Sequence, residues 1–292
     1  MGGEQHRHAG KATSTHQIEV EITVRRSGPQ PVSHYRHGSV KVRSPGLGSR
    51  VRVRSWAFDD QVVQLSLADQ TLVPRPDELA QWIDAVVDAT TPLRAIRTGA
   101  LFPEAAARFA DAGFEVIDTL ALLRVDLHAQ HVDPTSTPRT ARLRARRHRE
   151  ASQVDRAAFG DPWANNARDL GEIRRATPLH HATARFVTHQ QRRRLAAFVI
   201  SGAASGQGYL QRLAVHPDHQ RAGHGQALVT DALAWMRRKR LTHGVVNTAV
   251  GNEPALALYA SLGFRRLPER LVVMQLDVQP ESAHPELKMD ER

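Results

Sequence analysis

The chain has 292 residues, enough for one large domain or two ordinary ones with a sizeable buried core. It has no cysteine, which excludes disulfides, thiolate metal sites and a cysteine nucleophile, and no apolar run near the ~20 residues that cross a bilayer. Its 40 basic and 30 acidic residues leave a charge of +10, which attracts nucleic acid or any phosphorylated small molecule.

Only Lys11, Lys41, Lys239 and Lys288 are lysines, and the other basic residues are arginines. Most of them read as a solvated surface. Arginine-, alanine- and valine-rich usage points to a bacterial genome of high GC content. The first 17 residues are polar and aperiodic, without an apolar signal core, and read as a disordered tail of a cytoplasmic protein.

The elements follow in order. Ile18, Val20, Ile22 and Val24 alternate with polar residues, as in a half-buried strand. Short strands are expected around Val40 and Val42, around Val51 and Val53 after a Pro45–Gly48 turn, and from Val62 to Leu67. Pro76 to Ala89 reads as a helix: proline near the start, Asp77 and Glu78 in the first turn, then Leu79, Trp82, Ile83 and Val86 on one face. A strand from Arg94 to Thr98, a helix from Pro103 to Ala112 ended by Gly113, and an extended run from Val116 to Leu127 complete a first half, residues 18–127.

Residues 128–138, with two prolines and small polar residues, read as a linker. In Arg139 to Arg149, alternation of Ala141, Leu143 and Ala145 with arginines favours a strand over a nucleic-acid-binding arm, because no aromatic residues interleave to stack on bases. Helices are expected over Glu150–Phe159 and Asn166–Ala176. Strands follow at Ala182–Thr188, Leu195–Ser201 and Tyr209–Val215. A further strand (Gly244–Val250), helix (Pro254–Leu262, ended by Gly263) and strand (Arg270–Val278) close a second half, residues 139–278, before a polar tail at 279–292.

The most informative stretch is Tyr209 to Ala227. A strand ends at Leu213-Ala214-Val215 and turns at His216-Pro217-Asp218. It runs through Gln220-Arg221-Ala222-Gly223-His224-Gly225-Gln226 into an apolar-periodic helix. A strand, a glycine-bearing loop and a helix start make an anion site, because the first helical N–H groups lack intrahelical partners and carry partial positive charge. This V-x-P turn followed by Q-x-x-G-x-G resembles the acetyl-CoA-binding motif of the GNAT N-acetyltransferase superfamily. The segment Asn252 to Phe264 (NEPALALYASLGF) is similar to that family's N-x-x-A-x-x-x-Y-x-x-x-G-F, and the element order of residues 139–278 matches its fold. The resemblance implies an α/β fold with a mixed sheet, acetyl-CoA as co-substrate, and transfer of its acetyl group to an amine acceptor of unknown identity.

The two halves also resemble each other at a constant offset of about 150 residues. RAIRT at 94–98 matches GVVNT at 244–248, and RFADAGF at 108–114 matches LYASLGF at 258–264. The first half lacks a Q-x-x-G-x-G loop and has Phe109 in place of Tyr259. It therefore reads as a degenerate GNAT-like lobe with a packing or substrate-shaping role.

Within the second half, the resemblance implies that the main chain of Leu213, Ala214 and Val215 holds the pantetheine arm and polarises the thioester. The amides of Arg221 to Gln226 would hold the pyrophosphate, with Gln220 opening the loop. The Arg221 side chain either adds charge there or is simply solvated. Asn252 contacts the cofactor arm, serves as a helix N-cap, or does both. Tyr259 is either the general acid for the leaving thiolate or a core tyrosine beside Leu256 and Leu262. Phe159 and Trp163 either line the acceptor pocket or are plain core. The strand before the loop has no carboxylate, so no base is assigned: Gln211 would position a water at most, His216 suits a turn, and Asp161 and Glu172 lie in the acceptor-wall segment. No metal site is expected. The competing reading is a non-catalytic acyl-CoA-binding or sensing module, with nucleic-acid binding ranked last.

Overall fold

A computed structural model describes residues 39–43, 50–56, 58–67, 73–90, 92–128 and 139–278. The expected strand at 18–24, the turn at 45–48, nearly all of the 128–138 linker and both tails lie outside them. The strands are β1 (Ser39–Arg43), β2 (Arg50–Trp56), β3 (Asp59–Leu67), β4 (Ala95–Thr98), β5 (Glu115–Asp126), β6 (Ala141–Arg142), β7 (Leu179–His189), β8 (Arg192–Ala204), β9 (Gln207–Val215), β10 (His243–Ala249) and β11 (Arg265–Asp277). The helices are α1 (Pro76–Ala89), α2 (Pro103–Asp111), α3 (His148–Phe159), α4 (Ala167–Arg175), α5 (His224–Arg238) and α6 (Glu253–Ser261).

All eleven strands form one mixed sheet in the order β1-β2-β3-β4-β11-β5-β10-β9-β8-β7-β6. That order contains an exchange. β5 follows β4 in the chain but pairs with β10 and β11, through Leu123↔Val246 on one edge and Leu120↔Leu271 on the other. β11 reaches back to pair with β4 through Leu276↔Ile96. Each half gives its last strand to the other half's part of the sheet.

Three apolar clusters cover the sheet. α1 and α2 bury Leu79, Trp82, Val86 and Phe109 against Val51, Val53, Val63, Leu65 and Ile96. α5 and α6 bury Leu228, Leu233, Met236 and Tyr259 against Val199, Leu210 and Val246. α3 and α4 cover the other face of β7–β9 through Val154, Leu170, Phe198 and Ile200. Along β8 the alternation of period two sends Ala197 and Val199 to the α5 side and Phe198 and Ile200 to the α3–α4 side.

The similarity between halves extends to atomic detail. At the end of α2, the Ala112 and Phe114 amides donate to the Phe109 carbonyl and Gly113 to Ala110. At the end of α6, Leu262 and Phe264 donate to the Tyr259 carbonyl and Gly263 to Ala260. Phe109 packs on Phe114 with ring centres 5.1 Å apart, and Tyr259 on Phe264 at 5.5 Å. Gly113 and Gly263 have φ of 87° and 81°, the left-handed conformation that ends each helix.

The arginine-rich stretch departs from expectation. Its strand is only Ala141–Arg142, followed by a 3-10 turn over Ala145–Arg147. Among the described residues β6 is an edge strand paired with β7 alone, and its pairing stops at two residues. Leu143 is fully buried and begins the turn towards α3, so the alternation breaks where the chain must leave the sheet edge. The last strand begins five residues earlier than expected, with an irregular stretch between Arg266 and Arg270.

Because β5 and β11 are shared, neither half can lose its ladder without breaking the other's. Chemical denaturation followed by fluorescence and by circular dichroism should give one coincident transition, and two separated transitions would contradict this architecture.

Candidate functional site

β9 and β10 are parallel neighbours, but they pair over three residues only, from His243↔Gln207 to Val245↔Tyr209. Beyond Tyr209 the strands part. β9 continues to Val215 against β8 alone, so its β10-facing main-chain groups at Leu213–Val215 have no strand partner among the described residues. The divergence coincides with an irregularity in the β8–β9 ladder: Ile200 opposes Arg212 and Ser201 opposes Leu210, leaving Gln211 as an extra residue. This bulge re-aims Gln211 and Arg212 where the wedge opens.

The wedge leads to the start of α5. Gly223 is the N-cap, with φ of 71° and open space where a Cβ would stand. Arg221 is also left-handed, with φ of 60°. Gly225 lies in the first turn, where a Cβ would come within 3.1 Å of Leu258 on α6 and 3.7 Å of Val215. No side chain caps this helix and its first turn has no acidic residue, whereas α1, α2, α3, α4 and α6 all carry an aspartate or glutamate there. Gln220, Arg221, Ala222 and Gln226 are exposed. His224 is buried, and burial, with the nearby Arg185 and His219, holds its pKa below the usual value. His216 caps its own turn by accepting from the Asp218 amide at 3.3 Å.

The matching place in the first half is closed twice over. β4 pairs with β3 along its whole length, Val62↔Ala95 to Leu65↔Thr98, so no wedge opens. The start of α1 is filled by the protein's own carboxylate: Glu78, 2% exposed, accepts from the Arg75 amide at 3.1 Å.

Tyr259 and the side chains of Leu213 and Val215 share one apolar cluster. Burial raises the Tyr259 pKa strongly, against a smaller lowering by the Arg212 charge. Asn252 is the N-cap of α6: its oxygen accepts from the Ala255 amide at 3.3 Å, and its amide donates to Thr248, at the end of β10, at 3.0 Å.

Phe159 and Trp163 lie with α3 and α4, on the opposite face of the sheet from α5 and α6. A cavity of about 250 Å³ lies beside Trp163. Thr98, Leu120, Asn247 and Val273, one from each of four central strands, contribute to its lining. One wall is β2 and β3, with Arg54, Trp56 and Gln64. The other is Trp163, Asp169, Gln211 and Arg212, so the cavity reaches the bulge of the wedge. The walls meet where Trp56 and Trp163 stand edge to face, ring centres 6.0 Å apart, with the Arg97 guanidinium over both rings.

Arg212 anchors this region. Its guanidinium binds fully buried Asp155 through two 2.7 Å hydrogen bonds, donates to the Trp163 carbonyl, and lies 3.5 Å over the Phe159 ring. Asp155 also accepts from the Asn165 amide at 2.6 Å. Phe159 is therefore a platform for Arg212, while Trp163 faces the cavity. Of the acidic residues considered from sequence, Asp161 pairs with Arg156 at the surface, and Glu172 pairs with Arg168 and lies 3.8 Å from Arg54. The sequence did not single out the Asp155–Arg212 pair or the β2–β3 wall. Residues 57 positions apart in an arginine-rich chain carry no short-range signal that they meet.

Residues 150–264 match the model of the acetyltransferase (GNAT) family. The chain is 29% identical over 118 residues to the ribosomal protein bS18 alanine N-acetyltransferase of Escherichia coli strain K12, a match covering 39% of this chain and 72% of that protein. It is 39% identical over 70 residues to the mycothiol acetyltransferase of Acidothermus cellulolyticus, covering 22% of this chain and 21% of that one. Among solved structures it resembles a tandem GNAT protein from the clavulanic acid biosynthesis pathway, with TM-score 0.57, 18% identity and 84% of each chain covered. It also resembles a GCN5-related N-acetyltransferase from Sphaerobacter thermophilus, with TM-score 0.53, 12% identity, and 83% of this chain and 81% of that one covered. These structural likenesses extend the tandem fold over most of the chain.

Removing one partner of a buried ion pair leaves an uncompensated charge, at a cost of about 3–5 kcal/mol. Arg212→Ala should therefore lower unfolding stability by about that amount in urea titrations. A loss under about 1 kcal/mol would show that the pair does not hold α3 to β9.

Proposed function

We propose that the chain, whose residues 150–264 match the model of the GNAT acetyltransferase family, is a GNAT-type acyltransferase that moves an acetyl group from acetyl-CoA directly to a primary amine in the cytoplasm. The observation that carries this reading is the pairing of an open wedge with an uncapped helix start, in the half where the family match falls and not in the other. We take residues 18–127 as a degenerate lobe and 139–278 as the cofactor-binding lobe.

In this reading the free edge of Leu213–Val215 hydrogen-bonds the pantetheine arm, and one of its amides polarises the thioester carbonyl. The loop amides of Arg221 to Gln226 and the dipole of α5 receive the pyrophosphate, with the Gln220 and Arg221 side chains at its exposed rim. Asn252 faces the arm where α6 opens. The cavity beside Trp163 receives the amine. The amine attacks the carbonyl carbon, the carbon–sulfur bond breaks, the thiolate takes a proton from a general acid, and the surplus proton on the acylated nitrogen leaves and restores that acid.

Tyr259 is the proposed donor of that proton. Its raised pKa keeps the phenol protonated across the neutral range, as donation requires. The first half supplies a natural control. Phe109 fills the corresponding position with the same helix-end hydrogen bonds and ring packing, so a phenylalanine at 259 is compatible with the fold. No described side chain stands out as a base, and the amine loses its proton to solvent before binding.

The non-catalytic sensing alternative keeps the cradle without turnover, so the tests separate binding from chemistry. Calorimetry should show acetyl-CoA binding to the wild type and its loss in Gly223→Glu, which places a carboxylate at the helix start. Undiminished binding by that variant would sink the cradle assignment. Tyr259→Phe should keep acetyl-CoA affinity and stability while kcat falls about 10²–10⁴-fold. An unchanged kcat would remove Tyr259 from the chemistry, and the absence of thiol release with any amine would favour the sensor. Because burial raises the phenol above its ordinary value of about 10, the kcat profile should show no alkaline fall from Tyr259 below pH ~10.

A further inference from the structure

A dense arginine surface covers the outer edge of the sheet, at β6, β7 and β8, and takes no part in the proposed transfer. Residues 134–149 and 173–217 contain no aspartate or glutamate. The fold lays these two stretches side by side: β6 pairs with β7 at Ala141↔Ala184, and β7 with β8 at Val187↔Arg194 and Thr188↔Arg193. Arg147, from the 3-10 turn after β6, and Arg193, from the start of β8, both lie over the Phe186 ring of β7, at 4.8 and 4.7 Å. Glu150 completes the tie, pairing with Arg147 at 2.6 Å and accepting from the Leu195 amide at 2.7 Å. Around this knot Arg144, Arg146, Arg149, Arg192 and Arg194 are exposed. Among the described residues none of these five forms an ion pair, and Glu150 is already paired.

Scattered surface arginines need no partner, but like charges gathered on one acid-free face repel each other, and a polyanion relieves that repulsion. The surroundings restrict which polyanion. Among the described residues the exposed large apolar side chains are Val73, Val87, Val116, Ile117 and Leu179, and all of them lie off this face. A membrane surface or a stable protein interface buries apolar anchors as well as charge. The backbone of a nucleic acid needs charge alone, and a guanidinium binds its phosphates in bidentate fashion. Phe186 is the one Phe, Tyr or Trp within 139–149 and 185–195, and its ring already carries two guanidinium groups. No aromatic platform is left for the unstacked bases of a single strand.

We propose that this face docks on the sugar–phosphate backbone of a nucleic-acid duplex, without reading its sequence. Arg144, Arg146 and Arg149 contact phosphates from one side of the Phe186 knot, and Arg192 and Arg194 from the other. Arg147 and Arg193 hold the two groups in place. Such contacts fix position on a duplex and carry no base information, so binding follows salt concentration and not sequence. The surface is independent of acetyl transfer, and its failure would leave the proposed function untouched.

The test is fluorescence anisotropy of the full chain with labelled DNA and RNA duplexes of about 20 base pairs and unrelated sequences, between about 50 and 200 mM salt. If about six phosphates are neutralised, log Kd should rise with log salt at a slope of about 5, alike for every sequence. A variant combining Arg146→Gln, Arg149→Gln, Arg192→Gln and Arg194→Gln removes no contact with Phe186. It should lower that slope by about 3 to 4 and weaken binding about a hundredfold at the lower salt. A control combining Arg238→Gln, Arg265→Gln, Arg266→Gln and Arg270→Gln loses the same charge from other exposed positions and should bind within about threefold of wild type. Circular dichroism checks that both variants fold. Hydrogen exchange of the wild type needs no variant, and the duplex should slow exchange at 144–149 and 192–195. Equal losses in the two variants would assign the binding to net charge and overturn the proposal. It is also overturned by no duplex binding at the lower salt, by protection confined to other segments, or by tighter binding of oligo(U), polyglutamate or phosphatidylserine vesicles than of either duplex.

Discussion

Two strands, β5 and β11, hold the structure to a single solution. Each leaves its own half and is hydrogen-bonded on both edges inside the other half's territory. Main-chain hydrogen bonds in a sheet interior are obligatory, because a buried N–H or C=O without a partner costs as much as a lost bond. The halves are therefore fixed in relative position by ladders as well as by side-chain packing. The cavity depends on that fixity. Its floor is the exchanged strands and their neighbours, and its walls come from residues about 100 to 160 positions apart.

Within this frame the two halves differ by small local changes. Both keep the helix-end geometry at Phe109 and Tyr259. They differ where a ligand would sit. The β3–β4 ladder is zipped to its end and Glu78 occupies the start of α1, while β9 and β10 part after three pairs and α5 starts without an acid. An intramolecular carboxylate at a helix start satisfies the same amides that an external phosphate would. The first half thus supplies its own anion, and its remaining contribution is the wall carrying Arg54, Trp56 and Gln64.

Much of the fold was legible in local sequence. α1 runs from Pro76 to Ala89, as its proline, first-turn acids and apolar face imply. The helix stops at Gly113 and Gly263 follow from the need for positive φ. The arginine-rich segment was less legible, since alternation describes a face and not how many pairs an edge strand will form. The candidate site was legible only along the loop between β9 and α5. Gly223 and Gly225 mark a loop whose function depends on neighbours one to three residues away. The cavity beside Trp163 is assembled across the sheet. Arg212 was one arginine among many until Asp155, Phe159 and Trp163 closed around it.

The sequence by itself determined most of the element order, the family resemblance and the position of the glycine-bearing loop before α5, all of which rest on spacings within a few residues. Only the tertiary structure decided that the two halves exchange their last strands, that Asp155 neutralises Arg212, and that Trp56 and Gln211 line one cavity. Those outcomes depend on sheet order and curvature, and strand pairing between residues a hundred or more positions apart leaves no mark in any local pattern.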